Sequence, residues 1–399
     1  MSREIVHATP NSDLEALPDL DFEEFFEQHK RALPRSVLRD LGDLRLSYET
    51  SRGCWWGQKH HCTFCGLNGN GMGYREKSAD RVISELMHLV ETTGISKIDM
   101  TDNIMPFAYF NTLIPKLANL NLPVEIFYEQ KANISLDKVL ALKAAGINRI
   151  QPGIEAISDP LLKLMRKGTS TKQNIALLRY ARSIGMMIDW NLLSGFPNDR
   201  EEWYAQTLEL SRVCLHLPPP TILTKVNFDR FSPYFENPVQ FGITNLTPHY
   251  NYAGAFPEAE QLEDLAYHFT GDCSRITVDN SAVLRDLRAH IAYWRQIWDD
   301  ASADKPAPCL EVIEVGPDSY LLIDTRPLPQ AVFMRQISTD QARVALLFHS
   351  QSSDAVRWGV EQAVCFPSGD GYIPLACASP SVLQRFESLK APDLADVAV

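Results

Sequence analysis

Hydrophobic positions along the chain follow two alternating spacings between about residues 44 and 232. Short runs rich in β-branched and aromatic residues are separated by segments whose apolar side chains recur every three or four positions. Val82, Leu86 and Leu89, for example, share one face of a predicted helix. The predicted strands are 45–51, 97–101, 124–129, 149–153, 187–193 and 223–230, and the predicted helices are 79–92, 108–119, 136–145, 160–165, 172–184 and 201–215.

This alternation of strands and helices predicts right-handed β–α–β units that build a parallel sheet. Six repeats are too few to close an eight-stranded barrel. The predicted fold class is therefore α/β, with a partial (β/α)6 barrel, similar to a TIM barrel but open on one side, over 44–235. Ligands of such a fold are expected at the carboxyl ends of the strands.

The regions on either side of the barrel have different patterns. Residues 1–43 are predicted to be an N-terminal extension with one helix near 23–31. Residues 236–274 are predicted to be an irregular covering loop or linker, because 237–257 are rich in aromatic residues, Asn, Pro and Gly. Residues 275–399 are predicted to be a separate small α+β domain, with strands at 310–315, 320–324 and 331–335 and helices at 340–348 and 352–363.

Composition excludes several classes of protein. The chain has 399 residues, 38 basic and 50 acidic, and no cluster of Lys and Arg, which disfavours binding to nucleic acid. No apolar run is long enough to span a membrane, and residues 1–11 lack the apolar core of a secretory signal. We therefore expect a cytoplasmic protein whose cysteines are reduced.

Three of the eight cysteines lie within twelve residues, directly after the first predicted strand. In isolation, Cys54, Cys62 and Cys65 would favour a structural zinc site with His60 or His61 as the fourth ligand. An iron–sulfur cluster with one iron left open is a second hypothesis, and three unligated thiols are a third. The five other cysteines show no second cluster motif, and we expect them to be buried in the core.

The cysteine segment and its context resemble the radical S-adenosylmethionine (SAM) superfamily over residues 44–232. The resemblance rests on Cys62-Thr-Phe64-Cys65, on Gly153-Ile-Glu155-Ala and on Trp190-Asn-Leu-Leu-Ser-Gly-Phe-Pro197. Seven residues separate Cys54 from Cys62, where three are commoner in that superfamily. This wider gap, with Arg-Gly-Cys54-Trp-Trp-Gly and Tyr74-Arg-Glu-Lys-Ser78, is similar to enzymes that mature ribosomally made peptides, among them cobalamin-dependent C-methyltransferases.

The resemblance implies two cofactors, a [4Fe–4S] cluster held by Cys54, Cys62 and Cys65, and SAM bound at the iron that lacks a thiolate. One electron, from a donor such as flavodoxin or ferredoxin, would cleave a carbon–sulfur bond of SAM, and the barrel would exclude water from the radical. The expected enzyme modifies an unactivated carbon of a ribosomally made precursor peptide or a similar small substrate. The sequence does not identify the residue that returns a hydrogen or an electron, or the oligomeric state.

The same resemblance assigns residues to SAM, each with an ordinary structural alternative such as a turn, an ion pair or core packing. The candidate SAM-binding residues are Phe64, Asp102, Gln151, Glu155, Arg166, Asn191 and Phe231. Glu129 and Lys131 are the candidate substrate-binding residues, because alternate residues of a strand face the same way.

Two features depart from the methylating relatives. Only 53 residues precede Cys54, too few for the cobalamin domain that usually precedes the barrel, and the Asp-x-His-x-x-Gly pattern that ligates cobalt is absent from the sequence. The alternatives that stay open are transfer of the 3-amino-3-carboxypropyl group of SAM, C-methylation with cobalamin supplied otherwise, and a catalytically silent partner that binds SAM or peptide.

Overall fold

The computed structural model describes residues 13–32, 44–67, 69, 73–258, 261–350 and 352–388. The strands are β1 (Leu46–Tyr48), β2 (Ser51–Arg52), β3 (Arg75–Glu76), β4 (Lys97–Met100), β5 (Glu125–Gln130), β6 (Ile147–Pro152), β7 (Met187–Ile188), β8 (Leu192–Ser194), β9 (Leu223–Lys225), β10 (Phe228–Asp229), β11 (Thr244–Pro248), β12 (His268–Asp272), β13 (Leu310–Gly316), β14 (Ser319–Asp324), β15 (Met334–Ile337), β16 (Cys365–Ser368), β17 (Gly371–Pro374) and β18 (Cys377–Ala378).

The helices fall between these strands. They are α1 (Glu23–Ala32), α2 (Trp55–His60), α3 (Ala79–Thr93), α4 (Leu113–Leu120), α5 (Leu136–Ala144), α6 (Asp159–Leu164), α7 (Thr171–Ile184), α8 (Glu201–Val213), α9 (Pro233–Glu236), α10 (Asn251–Ala255), α11 (Leu262–Leu265), α12 (Ala282–Asp299), α13 (Thr339–Leu346), α14 (Ser353–Glu361) and α15 (Pro380–Ser388). None of the helices in the described ranges has the length and apolarity that crossing a membrane requires.

Local sequence explains where the helices of the α/β region begin and end. Helix α3 begins after Ser78, whose hydroxyl accepts a hydrogen bond from the backbone of Arg81, and ends at Gly94 with a left-handed φ of 71°. Its apolar face is buried, as the spacing predicts. Helix α7 begins with a reciprocal capping box between Ser170 and Gln173.

The chain divides into two compact units, one of residues 1–60, 67–129 and 141–148, and the other of residues 61–66, 130–140 and 149–399. In the first unit, β1 and β5 both pair in parallel with β4. The backbone N–H of Ile126 also donates to the carbonyl of Gly146, just before β6. Helices α3 and α4 pack against each other in this unit.

The second unit contains two further parallel pairs, β6 with β7 and β8 with β9. Three antiparallel strands follow in the order β10-β12-β11, and then a four-stranded sheet in the order β15-β14-β13-β18. Strands β16 and β17 form a hairpin. The parallel pairing in both units confirms the α/β class predicted from the alternating pattern.

Buried polar side chains attach the C-terminal elements of the second unit to its α/β helices. Arg179 on α7 is fully buried and donates to the carbonyls of Leu346 and Ala376. His216 lies with its Nε2 2.8 Å from the carbonyl of Leu375. Each of these contacts joins a side chain of the α/β region to the backbone of residues 339–388, within the second unit.

The predicted irregular loop at 237–257 is wrong in part, because this segment contains β11 and α10. Strand β11 pairs antiparallel with β12, with Thr247 opposite Thr270. All of its side chains are exposed or half-buried. Its sequence therefore needs no alternation of apolar and polar residues, which is the pattern that predicts a strand. The predicted strand at 45–51 is two short strands, β1 and β2, and the one at 223–230 is β9 and β10.

The predicted domain limits stay predictions. Residues 1–12 and 33–43 of the N-terminal extension and 389–399 of the C-terminal domain lie outside the described residues, as does Asn68 in the cysteine segment. Helix α1 occupies Glu23–Ala32, close to the predicted position.

Candidate functional site

The first cysteine follows a turn that requires glycine. Gly53 has a φ of 83°, and a Cβ atom at this position would lie 2.4 Å from the carbonyl oxygen of Gly73. This turn leads Cys54 to the start of α2, where the backbone N–H of Gly57 donates to Cys54 Sγ over 3.3 Å. This contact holds the Cys54 side chain against the first turn of α2.

Cys62 and Cys65 lie on one tight turn of the second unit. The N–H of Cys65 donates to the carbonyl of Cys62 over 3.2 Å, and Thr63 N–H donates to the carbonyl of Met165 over 3.1 Å. Cys62 Sγ lies 3.9 Å from the carbonyl of Arg166. The turn that carries these two thiols is thus attached to the segment after α6.

The end of this turn also requires glycine, here for reasons of space. A Cβ atom on Gly66 would lie 2.1 Å from the carbonyl oxygen of Arg230 and 3.1 Å from the hydroxyl of Tyr267. A backbone carbonyl cannot move aside to make room for a new Cβ atom, as the end of a flexible side chain can. Gly66 therefore sets how closely the Cys62–Cys65 turn approaches the backbone of residues 229–230.

The two histidines of the segment have other contacts. His61 Nε2 lies 2.8 Å from the carbonyl oxygen of Cys65. The ring of His60 packs against Trp56, with 4.2 Å between ring centroids. His61 therefore contacts the backbone of the Cys62–Cys65 turn, and His60 packs against an aromatic ring.

No disulfide bond joins any of the eight cysteines, all of which lie in the described ranges. Cys54 lies in the first unit, and Cys62 and Cys65 lie in the second. Over the described residues, no group of three or more His, Cys, Asp or Glu side chains is arranged to hold a metal ion. The donor set itself, three soft thiols, fits an iron–sulfur cluster by its chemistry.

A compact charged cluster lies near the Cys62–Cys65 turn. Lys167 Nζ lies 3.0 Å from Glu155 Oε1 and 5.5 Å from the centroid of the Phe64 ring. Phe64 in turn contacts Phe196 edge to face, with 6.2 Å between centroids. Burial alone would lower the pKa of Lys167, but the adjacent Glu155 carboxylate raises it above its ordinary value.

Three of the candidate SAM-binding residues have left-handed backbones. The φ angles are 58° for Glu155, 55° for Arg166 and 70° for Phe231. Non-glycine residues in this region carry strain, and such residues concentrate at ligand sites. The Arg166 turn is also braced, because buried Lys131 donates through Nζ to the carbonyls of Lys167 and Gly168 over 3.0 and 3.1 Å.

Asp102 is buried in the first unit, where a hydrogen-bond network surrounds its carboxylate. Thr50 N–H donates to Oδ1 over 2.7 Å and the Ser51 hydroxyl donates to Oδ2 over 2.7 Å. The hydroxyls of Thr50 and Tyr128 also donate to Oδ2. Burial raises the pKa of Asp102, while these donors oppose the shift. The network fixes the backbone just before the first cysteine, and the predicted contact of Asp102 with SAM stays a prediction.

The remaining predicted residues lie on the α/β strands or between them. Gln151 lies on β6 and Asn191 lies between β7 and β8, and both are half-buried. Glu129 lies on β5 and is half-buried, whereas Lys131 is buried and anchored to backbone carbonyls. The proposed role of Glu129 and Lys131 in binding substrate stays a prediction.

Sequence reasoning missed Lys167 and the Thr50–Tyr128 part of the Asp102 network. Lys167 follows Arg166 directly, and its pairing with Glu155 twelve positions earlier depends on how the two turns fold. Thr50 and Tyr128 are separated by 78 positions along the chain. Contacts at such separations leave no periodic signal in one sequence.

Comparison with known proteins identifies a domain in the α/β region. Residues 48–211 match the radical SAM superfamily. An uncharacterized methyltransferase of Pyrococcus horikoshii is 26% identical over 167 residues, which are 41% of this chain and 36% of that protein. The hopanoid C-3 methylase of Methylococcus capsulatus is 28% identical over 184 residues, which are 44% of this chain and 35% of that protein. The chain thus spans about a third of the length of these relatives.

A solved structure shows the fold. The radical SAM methyltransferase TsrM of Kitasatospora setae, bound to tryptophan and a SAM analogue, aligns with a TM-score of 0.50 at 18% identity. The alignment covers 65% of this chain and 54% of that one. Radical SAM enzymes have a partial barrel of β/α units and use a [4Fe–4S] cluster with SAM. The strand–helix units, the cysteine segment and these matches together show that residues 48–211 contain a radical SAM domain.

Proposed function

We propose that Cys54, Cys62 and Cys65 hold one [4Fe–4S] cluster and that the enzyme cleaves SAM to modify an unactivated carbon of its substrate. The observation that carries this proposal is the set of three cysteines without disulfides inside the matched region 48–211, on turns shaped by Gly53 and Gly66. Three thiolates leave one iron of such a cluster without a protein ligand. When bound and reduced, the cluster supplies the electron that breaks a carbon–sulfur bond of SAM.

The chain's own residues position and shield these cofactors. Gly57 N–H donates to Cys54 Sγ, and the Cys62–Cys65 turn is attached to the backbone at Met165. Trp55 donates through Nε1 to the carbonyl of Met105, which fixes its indole beside the first cysteine. Apolar cover of this kind limits access of water and oxygen to a cluster.

Charged and polar side chains of the predicted set contact SAM. Glu155 accepts from the ribose hydroxyls with the oxygen that does not pair with Lys167, and Arg166 pairs with the carboxylate of SAM. Phe64, Gln151, Asn191 and Phe231 stay in the candidate set. Asp102 acts indirectly, by fixing Thr50 and Ser51.

Iron loading tests the cluster. Anaerobic reconstitution of the full chain should give about four iron and four sulfide per chain. Single Cys→Ala variants at positions 54, 62 and 65 should lose most of this iron, whereas the matched control Cys309→Ala, outside the segment, should keep it. A chain that takes up one zinc and no iron, or equal iron in all four variants, refutes the proposal.

Product analysis tests the reaction. With a chemical reductant, release of 5′-deoxyadenosine supports hydrogen abstraction, and release of methylthioadenosine supports transfer of the aminocarboxypropyl group. A chain that loads iron and SAM but releases neither product, and no S-adenosylhomocysteine when cobalamin is added, is the silent partner. The reductant replaces the proposed donor, a flavodoxin or ferredoxin.

C-methylation is the second candidate, because both curated relatives described above are named as methyltransferases or methylases. Under this candidate, adding cobalamin to the reduced enzyme and substrate should yield S-adenosylhomocysteine and a methylated product. The proposed substrate is a ribosomally made precursor peptide or a similar small molecule, and the proposed location is the cytoplasm. Mass spectrometry of a small peptide co-expressed with the enzyme tests both the substrate and the mass added.

A further inference from the structure

A cavity in the second unit is lined by none of the three clustered cysteines and by none of the residues assigned to SAM. Its volume is about 490 Å³, and it is lined by residues 157–160 and 171, by one face of α8, and by the β16–β17 hairpin. This volume is within the range of about 300–1,000 Å³ that ligand sites occupy. The proposed reaction uses none of these residues.

The lining is apolar in its depth and acidic at its edge. Leu210 and Ile373 line the cavity and are each 1% exposed. Asp159 and Glu209 line it too, and both residues are exposed. None of the lining residues carries a positive charge. The nearby Lys172 amine lies against Gly371 of the hairpin, outside the lining.

From this combination we infer that the cavity binds a peptide segment through a basic side chain, Lys or Arg. The cationic group pairs with the carboxylates of Asp159 and Glu209. The aliphatic stem and neighbouring apolar side chains pack on Leu210 and Ile373. Asp159 keeps one oxygen for this role, since Oδ1 accepts from the N–H of Thr171 over 2.6 Å. The inference does not depend on the proposed reaction.

The test is binding of acetyl-Leu-Arg-Leu-amide to the full chain, measured by calorimetry and by saturation-transfer NMR. Glu209→Gln should weaken binding about two- to fivefold, the range for one exposed ion pair. Glu202→Gln, an exposed residue of the same helix that does not line the cavity, should leave binding unchanged. Gln206→Lys, which places a positive charge at the rim, should weaken binding at least as much as Glu209→Gln.

The peptide with citrulline in place of Arg keeps the shape and removes the charge, so it should bind more weakly, and 0.5 M salt should reduce the difference. Free arginine should bind more weakly than the peptide. Equal binding of both peptides, equal effects of Glu209→Gln and Glu202→Gln, or tighter binding of free arginine overturns the inference. Iron content, measured on the same samples, reports separately on the proposed function.

Discussion

Replacing Gly66 by Ala is the sharpest test of how the cysteine turn is positioned. The new Cβ would lie 2.1 Å from the carbonyl oxygen of Arg230, where atoms in contact normally keep more than 3 Å. The neighbour is backbone, so either the Cys62–Cys65 turn or the 229–230 segment must shift by about an ångström. Overpacking of this kind costs about 1–3 kcal/mol.

The matched control is Gly73→Ala, at the other end of the same loop. A Cβ on Gly73 meets no atom within 4 Å, and no left-handed φ is recorded there. This substitution should be neutral or stabilise the protein by up to about 1 kcal/mol, because it reduces the freedom of the unfolded chain.

The assays are thermal unfolding followed by circular dichroism and iron content after anaerobic reconstitution. At about 2–4 °C per kcal/mol, Gly66→Ala should lower the Tm by several degrees, whereas Gly73→Ala should not lower it. Iron content should fall in Gly66→Ala if the turn shifts Cys65. Equal Tm and iron content in the two variants would refute the view that Gly66 sets this turn.

Three further predictions concern buried ionisable side chains. Asp324→Asn leaves the buried guanidinium of Arg326 without its charge partner and should cost about 3–5 kcal/mol, while Asp354→Asn in an exposed ion pair should cost under about 1 kcal/mol, both measured by chemical unfolding. Burial holds the pKa of His216 well below its ordinary value, so only the unfolded chain binds a proton at this side chain as the pH drops below about 6.5. The free energy of unfolding should therefore fall with decreasing pH in this range, by up to about 1.4 kcal/mol per pH unit. His216→Gln should reduce this pH dependence, measured by chemical unfolding at several pH values. Lys131→Met removes two hydrogen bonds from the turn after Arg166 and should weaken SAM binding measured by calorimetry by about 1.5–3 kcal/mol, and an unchanged affinity would show that the turn does not hold SAM.

Short-range patterns explain most of what sequence reasoning predicted correctly. The apolar face of α3, its Ser78 cap and its Gly94 end are all local, and so the structure matches the prediction closely. The α/β class follows from the same alternation, because strands separated by single helices pair in parallel. The cysteine segment also reads directly from the sequence, since three thiols in twelve residues are rare without a shared ligand.

Segments whose stability depends on distant partners were predicted poorly. Strand β11 has only exposed or half-buried side chains and is held by pairing with β12, about twenty positions later. Lys131 lies at the end of a strand, and its amine donates to carbonyls 36 and 37 positions away. Nothing in the spacing of residues records such partners.

The sequence alone determined two features, the three cysteines on one loop and the order of strands and helices. Both depend on residues that are neighbours along the chain. The tertiary structure alone decided why Gly53 and Gly66 flank that loop, what Asp102 braces and which carboxylates edge the cavity at Ser158. These features depend on backbone and side chains that folding brings within a few ångströms, and such proximity is a property of packing.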